Sequence, residues 1–182
     1  MFGLSEKERL EKEADMLSAA AVGGVQLLAD FIDTFGDANT CPEDHQLIAM
    51  IEGLVLISSA VQFSYTLPMN KKFKEEQIFP LFHRKAVENL IYPLRGIADV
   101  HTVTKNYHEC FQKRYYKEYM GHLTRIAGSD KQSVFVLLML FELYSKWTIN
   151  PTERSPDSAA TESFMMLIFS VWRVVRTNMT FA

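Results

Sequence analysis

Three of the chain's histidines, His101, His108 and His122, stand among aromatic residues in one stretch of sequence. Imidazoles in such company can ligate a metal or haem, or move a proton near neutral pH. At about 100° per residue, an unbroken α-helix gathers His101, His108, Phe111, Tyr115, Tyr119, His122 and Ile126 within roughly 80° of one another. Lys113 and Lys117 fall on the far side. Metal ligands that share one helix usually stand three or four residues apart. The step from 101 to 108 rises about 10 Å, so two such rings cannot share an ion without ligands from other helices. The plainer reading of this face is a half-buried seam between helices. No metal and no cofactor are predicted.

Glu52 is the second candidate, because it interrupts an apolar run. A carboxylate so placed has either a partner or a shifted pKa. A ligand contact or a general base is the functional reading. An interhelical ion pair is the structural one, with Arg95, Arg173 or Arg176 as the expected partner. Glu142 sits in a similar setting. Di-iron carboxylate bundles require Glu-x-x-His pairs, and none occurs. Glycine-rich phosphate loops and Gly-x-Ser-x-Gly elbows are also missing, so no motif names a reaction.

Bases and aromatics interleave from Lys113 through Arg114, Tyr115 and Tyr116 to Lys117. Nucleic-acid binders use such residues for phosphate contact and stacking. With Lys71, Lys72, Lys74, Arg84 and Lys85 they form a basic region. Against nucleic acid stand a formal net charge of −3 and a sequence pI near 6.0. Lys113, Arg114 and Lys117 are therefore assigned to a protein partner or to the chain's own acidic segment.

The elements that must position these residues are helical. Ser5 and Glu8 fit a capping box, and the pattern stays helical to about Phe35, with Gly36 as the stop. Residues 6–15 are almost all charged, whereas residues 16–32 are mostly apolar. A projecting charged arm is one expectation for residues 1–15. The pair Gly23–Gly24 weakens this helix but lets another approach closely. Further helices are expected from Pro42 to about Leu67, over 73–79, 81–91 and 94–104 between prolines, and over 104–127. Gly128 is the expected stop, and two more helices follow, to about Thr148 and from about Ser158. Segments 47–65, 133–149 and 163–175 are apolar around much of their circumference, as central helices are. The expected fold is all-α, a single-domain bundle of about six to eight helices with apolar central members.

Charge is unevenly dealt along the chain. Residues 1–69 hold 3 Lys/Arg against 11 Asp/Glu, and residues 70–128 hold 11 against 6. The acidic part and the basic part can attract each other within one molecule or between two. Cys41 and Cys110 are too few for a disulfide scaffold. The N-terminus has no secretory pattern, and the charge-free stretches are too short or too polar to span a membrane. A cytoplasmic protein with reduced thiols is expected. The leading expectation is a non-enzymatic interaction or regulatory protein, self-associating as a homo-oligomer through the acidic and basic regions. The rival is a helical bundle that binds a small apolar ligand, a metal or haem through Glu52 and the His/Tyr face of 101–126.

Overall fold

The computed structural model describes residues 4–37, 45–67, 72–126, 128, 130–147, 149–155 and 157–180. It is an all-α multi-helix bundle with no strand among the described residues. One isolated bridge joins Gly36 to Ile149.

Helix α1 (Glu6–Phe35) begins as its sequence dictates. The Glu8 N–H donates to Ser5 Oγ at 3.3 Å, and the Ser5 N–H donates to the Glu8 carboxylate at 2.7 Å. Gly36 ends the helix in an extended conformation. Ala14, Leu17, Ala21, Val25, Leu28 and Ile32 recur every three or four residues and form its buried side. By length and composition α1 alone among the described residues could cross a membrane. In the bundle its apolar side packs on α2 and α7.

Of the segment expected as a charged arm, Leu4–Arg9 are exposed, and from Leu10 onward the helix is seated on α3. Lys85 reaches Glu11 at 3.1 Å and Asp15 at 2.6 Å, Arg84 reaches Glu11 at 3.5 Å, and Lys72 lies 3.7 Å from Glu13. Burial raises the Glu13 carboxyl above its usual range, and Lys72 opposes that. Acidic and basic segments thus meet inside one molecule.

Helix α2 (His45–Thr66) is the axis of the bundle. Every residue from Gly53 to Tyr65 is buried. The expected start at Pro42 lies outside the described residues. Phe63 stacks on Phe135 with ring centroids 4.0 Å apart. Helix α3 (Glu75–Ala86) runs through Pro80, contrary to the expected break. The missing N–H frees only the Glu76 carbonyl, in an exposed turn. A π-helical turn, Val87–Ile91, and a 3-10 turn, Tyr92–Gly96, follow.

Asp99 then caps α4 (Val100–Phe111), accepting the His101 N–H at 3.2 Å. The helix expected over 94–104 therefore begins only at Val100, and it runs on unbroken through residue 104. A π-helical segment, Gln112–Tyr119, leads into the short α5 (Met120–Thr124). Beyond it Gly128 takes φ = 120°, a conformation that favours glycine. Helices α6 (Lys131–Trp147) and α7 (Ala159–Thr180) complete the bundle. Phe164 of α7 packs near Phe31, and Trp172 near Phe63. Both helices leave apolar residues in solvent.

The two adjacent glycines of α1 differ in what surrounds them. A Cβ on Gly24 would lie 2.6 Å from Ile57 Cγ2 and 3.1 Å from Val171 Cγ2, so α1, α2 and α7 converge there. A Cβ on Gly23 would meet nothing within 4 Å. Gly24→Ala should therefore destabilise the protein by about 1–3 kcal/mol, whereas Gly23→Ala should stabilise it by about 0.5–1 kcal/mol. Urea denaturation of the two variants checks the opposite signs.

Candidate functional site

A cleft of about 620 Å³ opens between α3 and the α4–π segment. Its lining includes Phe79, Pro80, His83 and Val87 from the α3 side and Thr104, His108, Gln112 and Tyr116 from the facing side. Glu75, Glu76, Arg84 and Tyr92 stand around them. That volume is in the usual range for small-molecule sites, and polar or charged side chains make up seven of the twelve lining residues.

His83 organises the cleft from below. Its Nδ1 lies 2.7 Å from the Tyr107 hydroxyl and its Nε2 lies 2.9 Å from Gln62 Oε1. The Gln62 amide N–H donates in turn to the Tyr116 hydroxyl at 2.8 Å. Tyr107 also meets Ser58 Oγ at 3.2 Å. Because Gln62 presents its carbonyl to Nε2, a neutral His83 carries its proton there. Nδ1 is then an acceptor and takes the Tyr107 proton along the shorter of that hydroxyl's two contacts. Burial, with a smaller contribution from His108, pushes the His83 imidazole down to about 3. The Tyr107 phenol is pushed up by burial. Both ring nitrogens of His83 are occupied by the protein, so this histidine shapes the floor and leaves no lone pair for a metal.

Two polar residues stand on the α4 wall. The Thr104 hydroxyl is buried out of reach of the cleft and has no hydrogen-bond partner among the described residues. His108, one turn further on, touches His83 and Tyr107 through its ring, with centroids 6.3 Å and 5.1 Å apart. Partial burial lowers its imidazole below the ordinary histidine range.

The expected shared face of histidines and aromatics does not form. Tyr107, Phe111, Tyr115, Tyr119 and Leu123 are the buried row, each four residues from the last. The π-helical turn from Gln112 to Tyr119 accounts for this, because its i→i+5 bonding widens the turn and keeps a four-residue repeat aligned. His101 and His122 are exposed, and neither lines the cleft. Tyr115 and Tyr119 pack against Phe135 in the core. Of the residues singled out for ligand binding, only His108 lines the cleft.

Glu52 belongs to a different constellation. Arg114 Nη2 donates to Glu52 at 2.7 Å and Arg114 Nε to Glu142 at 2.9 Å. Lys146 reaches Glu52 at 2.6 Å and Glu142 at 3.7 Å. The expected partners Arg95, Arg173 and Arg176 are thereby corrected to Arg114 and Lys146. Arg114 is likewise corrected from an outward partner contact to the centre of an ion cluster tying α2, the π segment and α6. Lys113 and Lys117 do face solvent, and Lys113 lies 4.0 Å from Glu118. Burial raises the Glu142 carboxyl to about 7 against the pull of Arg114. Among the described residues no group of three or more His, Cys, Asp or Glu could hold a metal ion.

No family model matches the chain, and neither a curated protein nor a solved structure is similar to it. His83 and Gln62 escaped the sequence reading. Their only signals were a histidine four residues before Val87 on an amphipathic helix and a glutamine in an apolar run.

Two pH effects follow, with opposite signs. His83 stays neutral in the fold down to about 3, while an unfolded histidine takes a proton near 6.5. Stability should therefore fall as pH drops from about 6.5 toward 3. His83→Leu should flatten that loss while costing about 2–4 kcal/mol at pH 7, because Gln62 and Tyr107 lose partners. Glu142 is raised to about 7 from 4.5, so its contribution is full below pH 4.5 and is lost as pH rises through 7. Glu142→Gln should remove that decline. Urea midpoints from pH 4 to 8 for the wild type and both variants measure the slopes.

Proposed function

We propose that this protein binds a small organic molecule in the cleft above His83. One observation carries the reading: a buried histidine, locked neutral by Tyr107 and Gln62, forms the floor of an open cleft whose facing wall presents His108, Gln112 and Tyr116. His108, exposed on that wall, supplies a hydrogen-bonding group.

The apolar body of the ligand lies over Phe79, Pro80 and Val87. Its polar head meets His108 and Gln112. Glu75, Glu76 and Arg84 stand around the cleft and admit polar substituents that remain in water. Binding rather than catalysis is proposed because the histidine floor has no free nitrogen. This reading keeps His108 from the His/Tyr face and replaces its other members with Gln112 and Tyr116. The charge asymmetry no longer argues for self-association, since Glu11, Glu13 and Asp15 meet Lys72, Arg84 and Lys85 within the chain.

Native mass spectrometry of untagged protein from rich medium tests the proposal, alongside thermal shifts with a library of small apolar hydrogen-bonding compounds. A retained mass or a stabilising compound is expected, with stabilisation of about 2.7 kcal/mol at a hundred-fold excess over Kd. Thr104→Trp, which fills the cleft, should abolish both while the circular dichroism spectrum stays helical. Failure of every compound to bind, or binding indifferent to Thr104→Trp, sinks the idea.

A further inference from the structure

Helices α6 and α7 leave an uncharged apolar surface in water. Leu137 is 63% exposed and Phe141 74%, on a row of α6 that continues with Ser133 and Ser145. On α7, Met166 is 62% exposed and Phe169 42%, with Met165 beside them. The two helices meet where Tyr144 hydrogen-bonds Thr161. Phe141 and Met165 each lie one helical turn from that junction. At ~200 Å² for a large side chain, these five expose on the order of 500 Å², near the upper end of the largest patches found on monomers.

The sequence of α7 tells what fits this surface. Glu162, Met166, Phe169 and Arg173 follow at i, i+4, i+7 and i+11, so they form one stripe. All four are exposed. The stripe reads acid, apolar, apolar, base, and is symmetric about a point between residues 167 and 168. Two copies laid antiparallel about that point bring Met166 against the partner's Phe169, twice. They also bring Glu162 against the partner's Arg173, twice. Neither Glu162 nor Arg173 makes an ion pair among the described residues, so both charges are available. A two-fold contact brings each group on the axis against its own copy, and the centre of this stripe carries no charge to repel itself. Apposed patches bury about 1,000 Å², the size at which a specific interface begins.

We infer that the chain forms a two-fold homodimer through the outer stripe of α7, with antiparallel α7 helices and flanking Leu137 and Phe141 from α6. The inference is independent of the ligand cleft, which lies between α3 and α4. It also moves self-association away from the acidic and basic segments, whose charges pair internally along α1 and α3.

Sedimentation velocity on the full chain over a wide concentration range tests this with four variants: Glu162→Arg, Arg173→Glu, the two combined, and Met166→Lys. A concentration-dependent dimer is expected for the wild type. Each single charge reversal should raise the dissociation constant about tenfold, since two surface pairs of up to about 1 kcal/mol are lost or inverted. The combined reversal should restore wild-type affinity, because each pair reappears with its signs exchanged. Met166→Lys should leave monomers, with helical circular dichroism and the melting temperature retained. A wild type monomeric at every concentration overturns the inference, as does a dimer that ignores Met166→Lys. Weakening by the single reversals without recovery in the combined variant overturns the antiparallel register.

Discussion

The constraint on which the structure depends is the complete burial of α2 from Gly53 to Tyr65. A helix enclosed on all sides satisfies its backbone internally, but its polar side chains must find partners or be paid for in lost stability. Ser59 and Ser64 turn back on their own helix, donating to the carbonyls of Val55 and Val61. Gln62 and Ser58 instead reach across to other elements. Their partners come from neighbouring elements, and the His83–Tyr107 pair is what those elements supply. Where α2 begins to emerge, Glu52 is answered by Arg114 and Lys146.

The polar network and the cleft are thus one construction. The chain of contacts that starts on the central helix at Ser58 passes through Tyr107, His83 and Gln62 and ends at Tyr116. Tyr116 is half exposed and lines the cleft. Anything that binds there rests on a wall whose orientation is fixed from the core. Aromatic contacts reinforce it, since His83 meets Phe111 edge-on at 4.3 Å and Phe111 stacks on Tyr115 at 5.3 Å. Rigid side chains held by a second layer of contacts make a better site than loops do.

The all-α bundle, the capping box at Ser5 and the stop at Gly36 were legible in the sequence, whereas the helix expected to reach Gly128 ends at Thr124. Each legible feature depends on a few adjacent residues. The close approach at Gly24 was legible for the same reason, although only the packing shows that Gly23 has no such role. The site was much less legible. His108 was found, but His101, His122, Tyr115 and Tyr119 were grouped with it by an angle that assumes an unbroken α-helix. The wider turn after Phe111 defeats that assumption. Partners far apart in sequence were out of reach altogether. Glu52 and Lys146 are joined by packing, and no local pattern selects Lys146 over Arg95, Arg173 or Arg176.

The π-helical segment from Gln112 to Tyr119 acts as a vernier between the two ends of a long rod. Upstream of it, α4 must aim His108 at the cleft. Downstream, Tyr119 and Leu123 must reach the core beneath α6. Each residue of a helix advances the chain by about 1.5 Å and turns it by about 100°, so the length of this segment sets the phase between those two tasks. Shortening it by one residue would keep every side chain's identity and every helix's propensity. It would nonetheless rotate the cleft wall by roughly a quarter turn against the floor that His83 provides. In this protein the alignment of wall and floor is a matter of counting, held in the number of residues between Phe111 and Met120 rather than in their chemistry.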